Sequence, residues 1–219
     1  MDKIFEQYYN ELADITLRSL YVSGTATLLA FSWSIFIAYF LALRERIEIV
    51  SSIIESMVGM PTVVLGLLLY FLFSHSGPLG VFNLLYTPSA MIIGESVLVT
   101  PIIISTTFRV LRTALQTYGE FALSIGATKA QTMYLVFKES YPGIIAAIVM
   151  AFSRAIGELG VAFMVGGNIR GYTRVLTTAI ALGVSKGEFE SSLLLGLILL
   201  SIMIITSISL KIISRLYRV

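Results

Sequence analysis

Residues 118–129 read Tyr-Gly-Glu-Phe-Ala-Leu-Ser-Ile-Gly-Ala-Thr-Lys and lie between two long apolar segments of a very hydrophobic chain. Membrane-embedded chains normally join their spans by short turns. Here about thirty residues, 109–141, interrupt the apolar sequence, carry a helical pattern of their own, and are followed by Pro142-Gly143. This pattern predicts a helical loop that is held out of the bilayer and projects from a membrane domain.

The composition independently indicates an integral membrane protein. Of the 219 residues, 57% are hydrophobic and 13% are charged, whereas soluble domains average about 25% charged residues. The net charge of +2 gives no sign of a nucleic-acid partner. The absence of cysteine excludes a disulfide framework and a thiolate metal site, and we expect no metal site of another kind. The length suits one domain, residues 1–219, of five spans with roughly 20 apolar residues each.

The predicted fold is all-α, with five transmembrane helices and a short N-terminal helix at the membrane interface. At the N-terminus, apolar residues recur at helical spacing with acidic residues between them, which is typical of an interfacial helix. The apolar members are Ile4, Phe5, Tyr8, Leu12 and Ile15. We expect spans at residues 19–43, 49–73, 88–110, 143–165 and 191–213. Pro61 and Pro101 fall inside the second and third spans and predict bends there.

The distribution of basic residues predicts the orientation. The link Arg44-Glu45-Arg46, the 109–141 loop and the C-terminal tail together hold nine of the fifteen Lys and Arg residues. The opposite side holds five, and Arg154 falls inside a span. Because cytoplasmic loops carry the excess of positive charge, the N-terminus is predicted outside and the C-terminus in the cytoplasm. The 109–141 loop is then cytoplasmic.

Within that loop, residues 120–125 predict a short helix. Gly126 can end it by adopting a left-handed conformation, and a second helix is predicted at 127–140. Pro142-Gly143 would mark its return to the membrane. From the residues alone, a helical hairpin lying on the membrane surface is the alternative.

The loop resembles the cytoplasmic coupling loop of ABC importer permeases, whose pattern reads Glu-Ala-Ala, three residues, Gly. Glu120, Ala122 and Gly126 match that pattern, whereas Val136-Phe-Lys-Glu139 replaces a segment that in the family often ends in proline. The resemblance implies that the loop, about residues 111–141, contacts a separate ATPase. The residues it assigns to ATPase coupling are Glu120, Ala122, Gly126, Ala127, Thr128 and Lys129.

The chain has no Gly-x-x-x-x-Gly-Lys-Ser/Thr phosphate loop, so it cannot bind ATP by that device. We therefore expect a transport subunit that is not itself an enzyme and holds no cofactor. ATP and Mg²⁺ would be bound by the partner ATPase.

Four ionisable residues lie inside the predicted spans: Glu55, Glu95, Arg154 and Glu158. A charged side chain at mid-bilayer costs roughly 2.5–3.5 kcal/mol or more, so these residues should face the protein interior, a subunit interface or water. Arg154 and Glu158 are four residues apart and can pair on one helix. Packing and pore lining both remain open, and Glu95, Arg154 and Glu158 are the pore or gate candidates.

The loop at residues 166–174 suggests an anion path. It combines glycines, whose exposed N–H groups can form an anion-binding concavity, with arginines that supply charge-assisted donors. The candidates are Gly167, Asn168, Arg170, Thr173 and Arg174. A surface turn and a docking site for an external binding protein are the alternatives. The only histidine, His75, has no companion ligand and is interpreted as a polar turn residue.

Segments across nearly the whole chain resemble molybdate and tungstate permeases. The segment Met57-Val-Gly-Met-Pro-Thr-Val-Val-Leu-Gly-Leu67 looks like their second span. Residues 75–80, 87–91 and 165–179 look like the tungstate branch. This resemblance implies a prokaryotic cell membrane, a homodimer with the pore at its interface, two ATPase subunits and an extracytoplasmic oxyanion-binding protein. It also implies alternating access in which ATP binding opens the pore outward.

Three classes of function therefore compete. The first is the permease subunit of an ATP-driven importer, for tungstate first and for molybdate or another oxyanion as the alternative. The second is an autonomous channel or secondary carrier, which would leave the 109–141 loop without a purpose. No internal repeat is visible, which disfavours inverted-repeat carriers. The third, an intramembrane enzyme, lacks an evident nucleophile with its base.

Overall fold

A computed structural model describes residues 2–44 and 47–216, and this part of the chain is all-helical, without strands. The helices are α1 (Asp2–Ala42), α2 (Glu48–Val58), α3 (Thr62–Phe73), α4 (Pro88–Ala114), α5 (Glu120–Ser124), α6 (Lys129–Ile156), α7 (Gly160–Gly166), α8 (Leu176–Lys186) and α9 (Phe189–Leu216). A 3₁₀ turn covers Gly80–Phe82, and a π-helical turn, Leu115–Gly119, joins α4 to α5. Arg46 and Arg218, two of the nine basic residues on which the predicted orientation rests, lie outside the described residues, as does Glu45.

Four helices in the described part of the chain are long and apolar enough to cross a membrane, and a fifth span is possible if α2 and α3 count as one bent pair. Helix α4 is the central element, because it is extensively buried and packs against α1 on one side and α6 on another. The Trp33 indole N–H on α1 donates to the Thr100 hydroxyl on α4 at 2.9 Å. The prediction of an all-helical membrane domain is confirmed.

The first span begins differently from the prediction. Helix α1 runs unbroken from Asp2 to Ala42, so the N-terminal residues are not a separate helix. The reason is that nothing between residues 15 and 20 breaks a helix: the buried Ile15 and Ser19 lie four residues apart and continue one face of α1.

The predicted second span is broken. α2 and α3 meet at 94° across Gly59, Met60 and Pro61. Pro61 has φ −62° and ψ 117° and precedes the first residue of α3. Proline disfavours a helical conformation in the residue before it. Helix α2 therefore ends at Val58, and α3 begins at Thr62 in a new direction. The predicted bend within one helix is wrong here, whereas Pro101 does lie inside the continuous helix α4.

The predicted fourth span is shifted. α6 runs without interruption from Lys129 through Pro142 and ends at Ile156, and α7 follows after a break at Gly157. The predicted helix boundary at Pro142-Gly143 is therefore wrong, whereas the point at which α6 enters the membrane stays a prediction. A Cβ atom on Gly143 would lie 2.6 Å from Val110 Cγ1, so this glycine allows close contact between α6 and α4 instead of ending a helix.

The remaining spans agree with the prediction in position and differ in length. α4 begins at Pro88 as predicted. The hydroxyl of the preceding Thr87 caps this end by accepting a hydrogen bond from the Ala90 N–H at 3.2 Å. The helix continues to Ala114, beyond the predicted end at residue 110. α9 extends past both ends of the predicted 191–213 span. The short helix α8 was not predicted.

Candidate functional site

The 118–129 segment lies at one end of the molecule and the 166–174 loop at the other. α4 begins beside the 166–174 loop, where the Tyr86 N–H donates to the Val165 carbonyl at 2.8 Å. It leads at its other end into the 118–129 segment. A helix of 27 residues is about 40 Å long at 1.5 Å per residue. The two candidate regions are therefore separated by roughly the thickness of a bilayer.

The turn after α5 has the predicted conformation. Gly126 has φ +87°, its N–H donates to the Leu123 carbonyl, and the Ala127 N–H donates to the Ala122 carbonyl, each at 3.0 Å. These two bonds form a Schellman motif, which requires a left-handed residue and favours glycine. A Cβ atom on Gly126 would meet nothing within 4 Å, so this side of the turn is open.

The 118–129 segment and the adjoining turn of α6 expose a group of large apolar side chains. Ala122 is buried against the rest of the chain, whereas its neighbours point outward. Phe121 is 62% exposed, Leu123 51%, Ile125 69% and Tyr134 73%. We call these four residues the apolar tip. Exposed apolar groups gathered in this way mark a protein or membrane contact, and sequence reasoning, which followed the Glu-x-Ala-x-x-x-Gly pattern, did not single them out.

Thr128 begins helix α6 with a reciprocal capping arrangement. Its hydroxyl accepts a hydrogen bond from the Gln131 N–H at 3.3 Å, and its own N–H donates to Gln131 Oε1 at 2.8 Å. These bonds satisfy two N–H groups that a helix start otherwise leaves unpaired. Lys129 is the first residue of α6 and is exposed. Thr128 therefore has a local structural role, whatever partner the segment meets.

Substitution Thr128→Ala should loosen the start of α6. Loss of a threonine cap typically costs about 1 kcal/mol, so we expect faster amide hydrogen exchange in the first turn of α6 and little change elsewhere. Exchange measured by mass spectrometry on the purified protein tests this. Thr117→Ala is the matched control, because the exposed Thr117 hydroxyl only donates to the Thr113 carbonyl within a helix. Equal exchange in the two variants would show that the cap does not hold α6.

The predicted ion pair between Arg154 and Glu158 is present, but not on one helix. Arg154 lies in the last turn of α6, and Glu158 follows in the break before α7. Arg154 Nη1 is 2.5 Å from Glu158 Oε2. Glu158 Oε1 accepts a hydrogen bond from the Val161 N–H at 3.1 Å, and the Thr177 hydroxyl donates to the Glu158 carbonyl at 2.7 Å. Glu158 thus ties the break to both α7 and α8.

The two members of this pair differ in exposure. The Arg154 side chain is 36% exposed and that of Glu158 only 2%. Met150, one turn before Arg154 on the same face of α6, and Leu159 and Phe163 after the break are also exposed apolar residues. Arg154 is therefore a partly exposed cation one helical turn from the exposed apolar Met150.

Glu95 lies inside the bundle on α4 and is almost completely buried. The Ser23 side chain of α1 lies beside its carboxyl group, and Glu158 lies close enough for the two charges to interact. The Oε2 atom of Glu95 has no hydrogen-bond partner among the described residues. Glu95 is therefore a neighbour of the Arg154–Glu158 pair on its buried side.

Glu55, the remaining ionisable residue of the predicted spans, lies on α2 and is half-exposed. Its carboxylate pairs with Arg109 at 3.2 Å.

The two helix breaks face each other. A Cβ atom on Gly160, the first residue of α7, would lie 2.7 Å from Thr62 Oγ1 and 3.0 Å from the Val63 backbone nitrogen, at the start of α3. On α3, a Cβ on Gly66 would lie 3.0 Å from Met164 Cβ on α7. The two short helices thus pack so closely that only glycine fits at Gly160 and Gly66. This packing brings the α2–α3 break next to Glu158.

The 166–174 loop is folded onto α1 by charged side chains. Arg170 donates to both oxygens of Glu11, from Nε at 2.8 Å and from Nη2 at 2.6 Å. Hydrogen bonding to Glu11 raises the pKa of the Arg170 guanidinium above its ordinary value. Arg174 Nη1 is 3.8 Å from Glu11 Oε1, and Arg18 donates to the carbonyls of Gly171 and Arg174. Nothing in the sequence pairs Glu11 with a loop about 160 residues later.

The remaining loop candidates stabilise the loop itself. The Thr173 hydroxyl donates to the Gly166 carbonyl at 2.5 Å and accepts from the Ile169 N–H at 2.9 Å. Asn168 Oδ1 accepts from Arg174 Nε at 3.1 Å. Gly167 has φ +70°, and a Cβ there would lie 2.6 Å from the Tyr86 ring. Each of these candidates therefore has a structural partner within the chain, and their role in an anion path stays a prediction.

These features define a class: an all-helical membrane subunit with broken helices and a projecting, partly apolar segment. Residues 30–219 match the family described as the binding-protein-dependent transport system inner membrane component, and the chain belongs to this family.

Relatives and a solved structure agree with this assignment. The chain is 37% identical over 200 residues to a probable anion ABC transporter permease protein of Haloferax volcanii, covering 88% of this chain and 86% of that protein. It is 37% identical over 190 residues to the tungstate uptake system permease protein TupB of Peptoclostridium acidaminophilum, covering 86% and 83%. The crystal structure of an amino acid ABC transporter with histidines has the same fold, with a TM-score of 0.66 over 96% of each chain at 17% identity.

Proposed function

We propose that this protein is the permease subunit of an ATP-driven importer for a tetrahedral oxyanion, with tungstate as the first candidate. The names of the relatives support this proposal, because the two proteins cited above are an anion permease and a tungstate permease, each matched over more than four-fifths of its length. Molybdate is the second candidate, since it is an oxyanion of the same geometry and charge. The chain would lie in a prokaryotic cell membrane, with its N-terminus outside and its C-terminus in the cytoplasm.

The apolar tip is the observation that carries the proposal of a partner ATPase. Phe121, Leu123 and Ile125 project from a turn that a Schellman motif holds in one shape, and the Gly126 side of that turn is open. A rigid apolar projection at the end of a membrane domain suits docking into a groove of a soluble subunit. Two such ATPase subunits, which would bind ATP and Mg²⁺, would serve a dimer of this chain.

Arg154 supports a second copy of the chain. A partly exposed cation beside the exposed Met150 would cost roughly 2.5–3.5 kcal/mol if it faced lipid at mid-bilayer. A pore between two copies would give it water on one side and protein on the other. The homodimer would then enclose the path, with alternating access opening it to either side.

The 166–174 loop, at the opposite end from the apolar tip, would face the extracytoplasmic oxyanion-binding protein. Arg170 is exposed while it holds Glu11, so it can contribute to a polar docking surface without leaving its partner. An autonomous channel or carrier is disfavoured because it would leave the apolar tip uncovered in water.

Cells with and without this chain, grown on trace tungstate or molybdate, test the proposal by elemental analysis. We expect deletion to lower tungsten accumulation selectively and the wild-type chain to restore it. A selective loss of molybdenum would favour molybdate as the substrate. Unchanged tungsten and molybdenum, with redundant uptake excluded, would contradict the proposal of an importer for these oxyanions.

A further inference from the structure

We infer that Arg154 is the contact that an oxyanion makes in transit, and that Glu158 is the resident counter-ion which keeps this contact weak enough to be released. The inference rests on the proposed function, since it assigns a binding site within the proposed path. The ligand class is a tetrahedral dianion such as tungstate.

The two side chains are held very differently. Glu158 is buried, its carboxylate also accepts the Val161 N–H, and its backbone carbonyl accepts the Thr177 hydroxyl. Among the contacts of the described residues, the Arg154 guanidinium has only the one bond from Nη1 to Glu158. The carboxylate is therefore anchored, whereas the guanidinium reaches the exposed face.

The donors of Arg154 suit an oxyanion. A guanidinium carries five N–H groups in a rigid fork that can bind two oxygens at once, and Glu158 occupies one nitrogen. By contrast, Arg170 already uses both Nε and Nη2 on Glu11. Arg154 can accept an oxyanion on its free edge without first breaking its own ion pair.

Glu158 explains how such a site could release its ligand. An isolated arginine in a site of low dielectric constant would hold a dianion strongly, which would obstruct transport. Conduction requires a site that is favourable enough to enter and weak enough to leave. In the ion pair the charges of Arg154 and Glu158 offset each other before the anion arrives, and the Glu158 carboxylate repels the dianion. Because Nη1 of Arg154 stays on Glu158 while the anion binds the free edge, departure of the anion leaves the buried carboxylate paired.

The absence of cysteine in this chain permits a direct test. Met150→Cys places one thiol on the exposed face, one helical turn from Arg154. In the assembled complex, held in its outward-open state by a non-hydrolysable ATP analogue, a charged water-soluble thiol reagent should modify this cysteine. We expect tungstate to slow the modification, because the bound dianion would occupy the space beside Arg154.

Three variants in the Met150→Cys background decide the inference. Arg154→Gln should abolish protection by tungstate. Glu158→Gln should give protection at a concentration about tenfold lower, since the opposing charge is removed. Arg109→Gln, which also breaks an ion pair with a glutamate, is the control and should leave protection unchanged.

Other results would overturn the inference. Protection that survives Arg154→Gln would remove Arg154 from the path. Protection that Glu158→Gln abolishes, as Arg154→Gln does, would make the pair a structural tie. A thiol that the reagent never reaches would place this face away from water. Any of these results combined with normal ATP-driven uptake by the wild-type complex leaves the proposed function standing, whereas absent uptake by the wild type refutes the proposed function itself.

Discussion

Gly126→Asp abolishes ATP-driven uptake while the membrane domain stays folded: this is the largest effect that the account predicts. The left-handed φ of +87° costs a side-chain-bearing residue roughly 1–2 kcal/mol, and aspartate tolerates this region better than most residues do. A Cβ at this position meets nothing within the chain. The damage therefore arises from a carboxylate placed beside the apolar tip, where a partner surface would have to desolvate it.

Gly187→Asp is the matched control. Gly187 has φ +79°, and a Cβ there also meets nothing within 4 Å, so the local strain and the added charge are the same. It follows α8 and lies outside residues 111–141, the loop predicted to contact the ATPase. We expect near-normal uptake and co-purification of the ATPase for Gly187→Asp, and loss of both for Gly126→Asp. Wild-type uptake by the Gly126→Asp variant would refute ATPase coupling through the 118–129 segment.

Gly160→Val destabilises the protein and impairs transport together. The new Cβ would lie 2.7 Å from Thr62 Oγ1 and 3.0 Å from the Val63 nitrogen, and the valine methyl groups would add further overlap. Overpacking typically costs about 1–3 kcal/mol, and α3 must move away from α7. Glu158 Oε1, 3.2 Å from the same Cβ, would be displaced, so the Arg154 pair would be disturbed as well.

Thermal unfolding of the purified protein measures the stability effect, for which a domain of this size shifts by roughly 2–4 °C per kcal/mol. Gly196→Val is the control, because Gly196 is also helical and a Cβ there meets nothing within 4 Å of the chain. We expect a clear loss of thermal stability for Gly160→Val only. Equal unfolding temperatures would show that the α3–α7 contact is not tight.

Local rules predicted several features correctly. The predicted start of the third span at residue 88 is confirmed as the start of α4, where Thr87 caps the helix and Pro88 suits its first turn. Gly126 specified the left-handed turn because glycine carries no Cβ penalty. The spacing of Arg154 and Glu158 predicted their ion pair.

Tertiary context decided the features that the sequence did not reveal. Pro61, Pro101 and Pro142 are chemically identical, yet only Pro61 follows a helix break, while the other two lie inside continuous helices. Those two helices, α4 and α6, pack along each other, and neighbouring helices allow a proline to remain in a membrane helix. Local sequence does not contain this information.

The candidate residues divide in the same way. Arg154 and Glu158 could be paired from spacing, but the contact of Gly160 with Thr62 and the contact of Glu11 with Arg170 join distant segments. The exposure of the apolar tip also depends on the tertiary fold, because phenylalanine and leucine are residue types that are usually buried, and the sequence does not show that Phe121 and Leu123 are exposed.

The most direct test of the central claim is flux through the reconstituted complex. This chain, its ATPase and its binding protein would be placed in liposomes, with tungstate and ATP supplied on opposite sides. The account predicts tungstate transfer toward the ATPase side that stops when ATP hydrolysis is blocked and is absent from liposomes that hold this chain alone. Tungstate that equilibrates through this chain without ATPase or ATP would contradict the account and establish a channel or carrier instead.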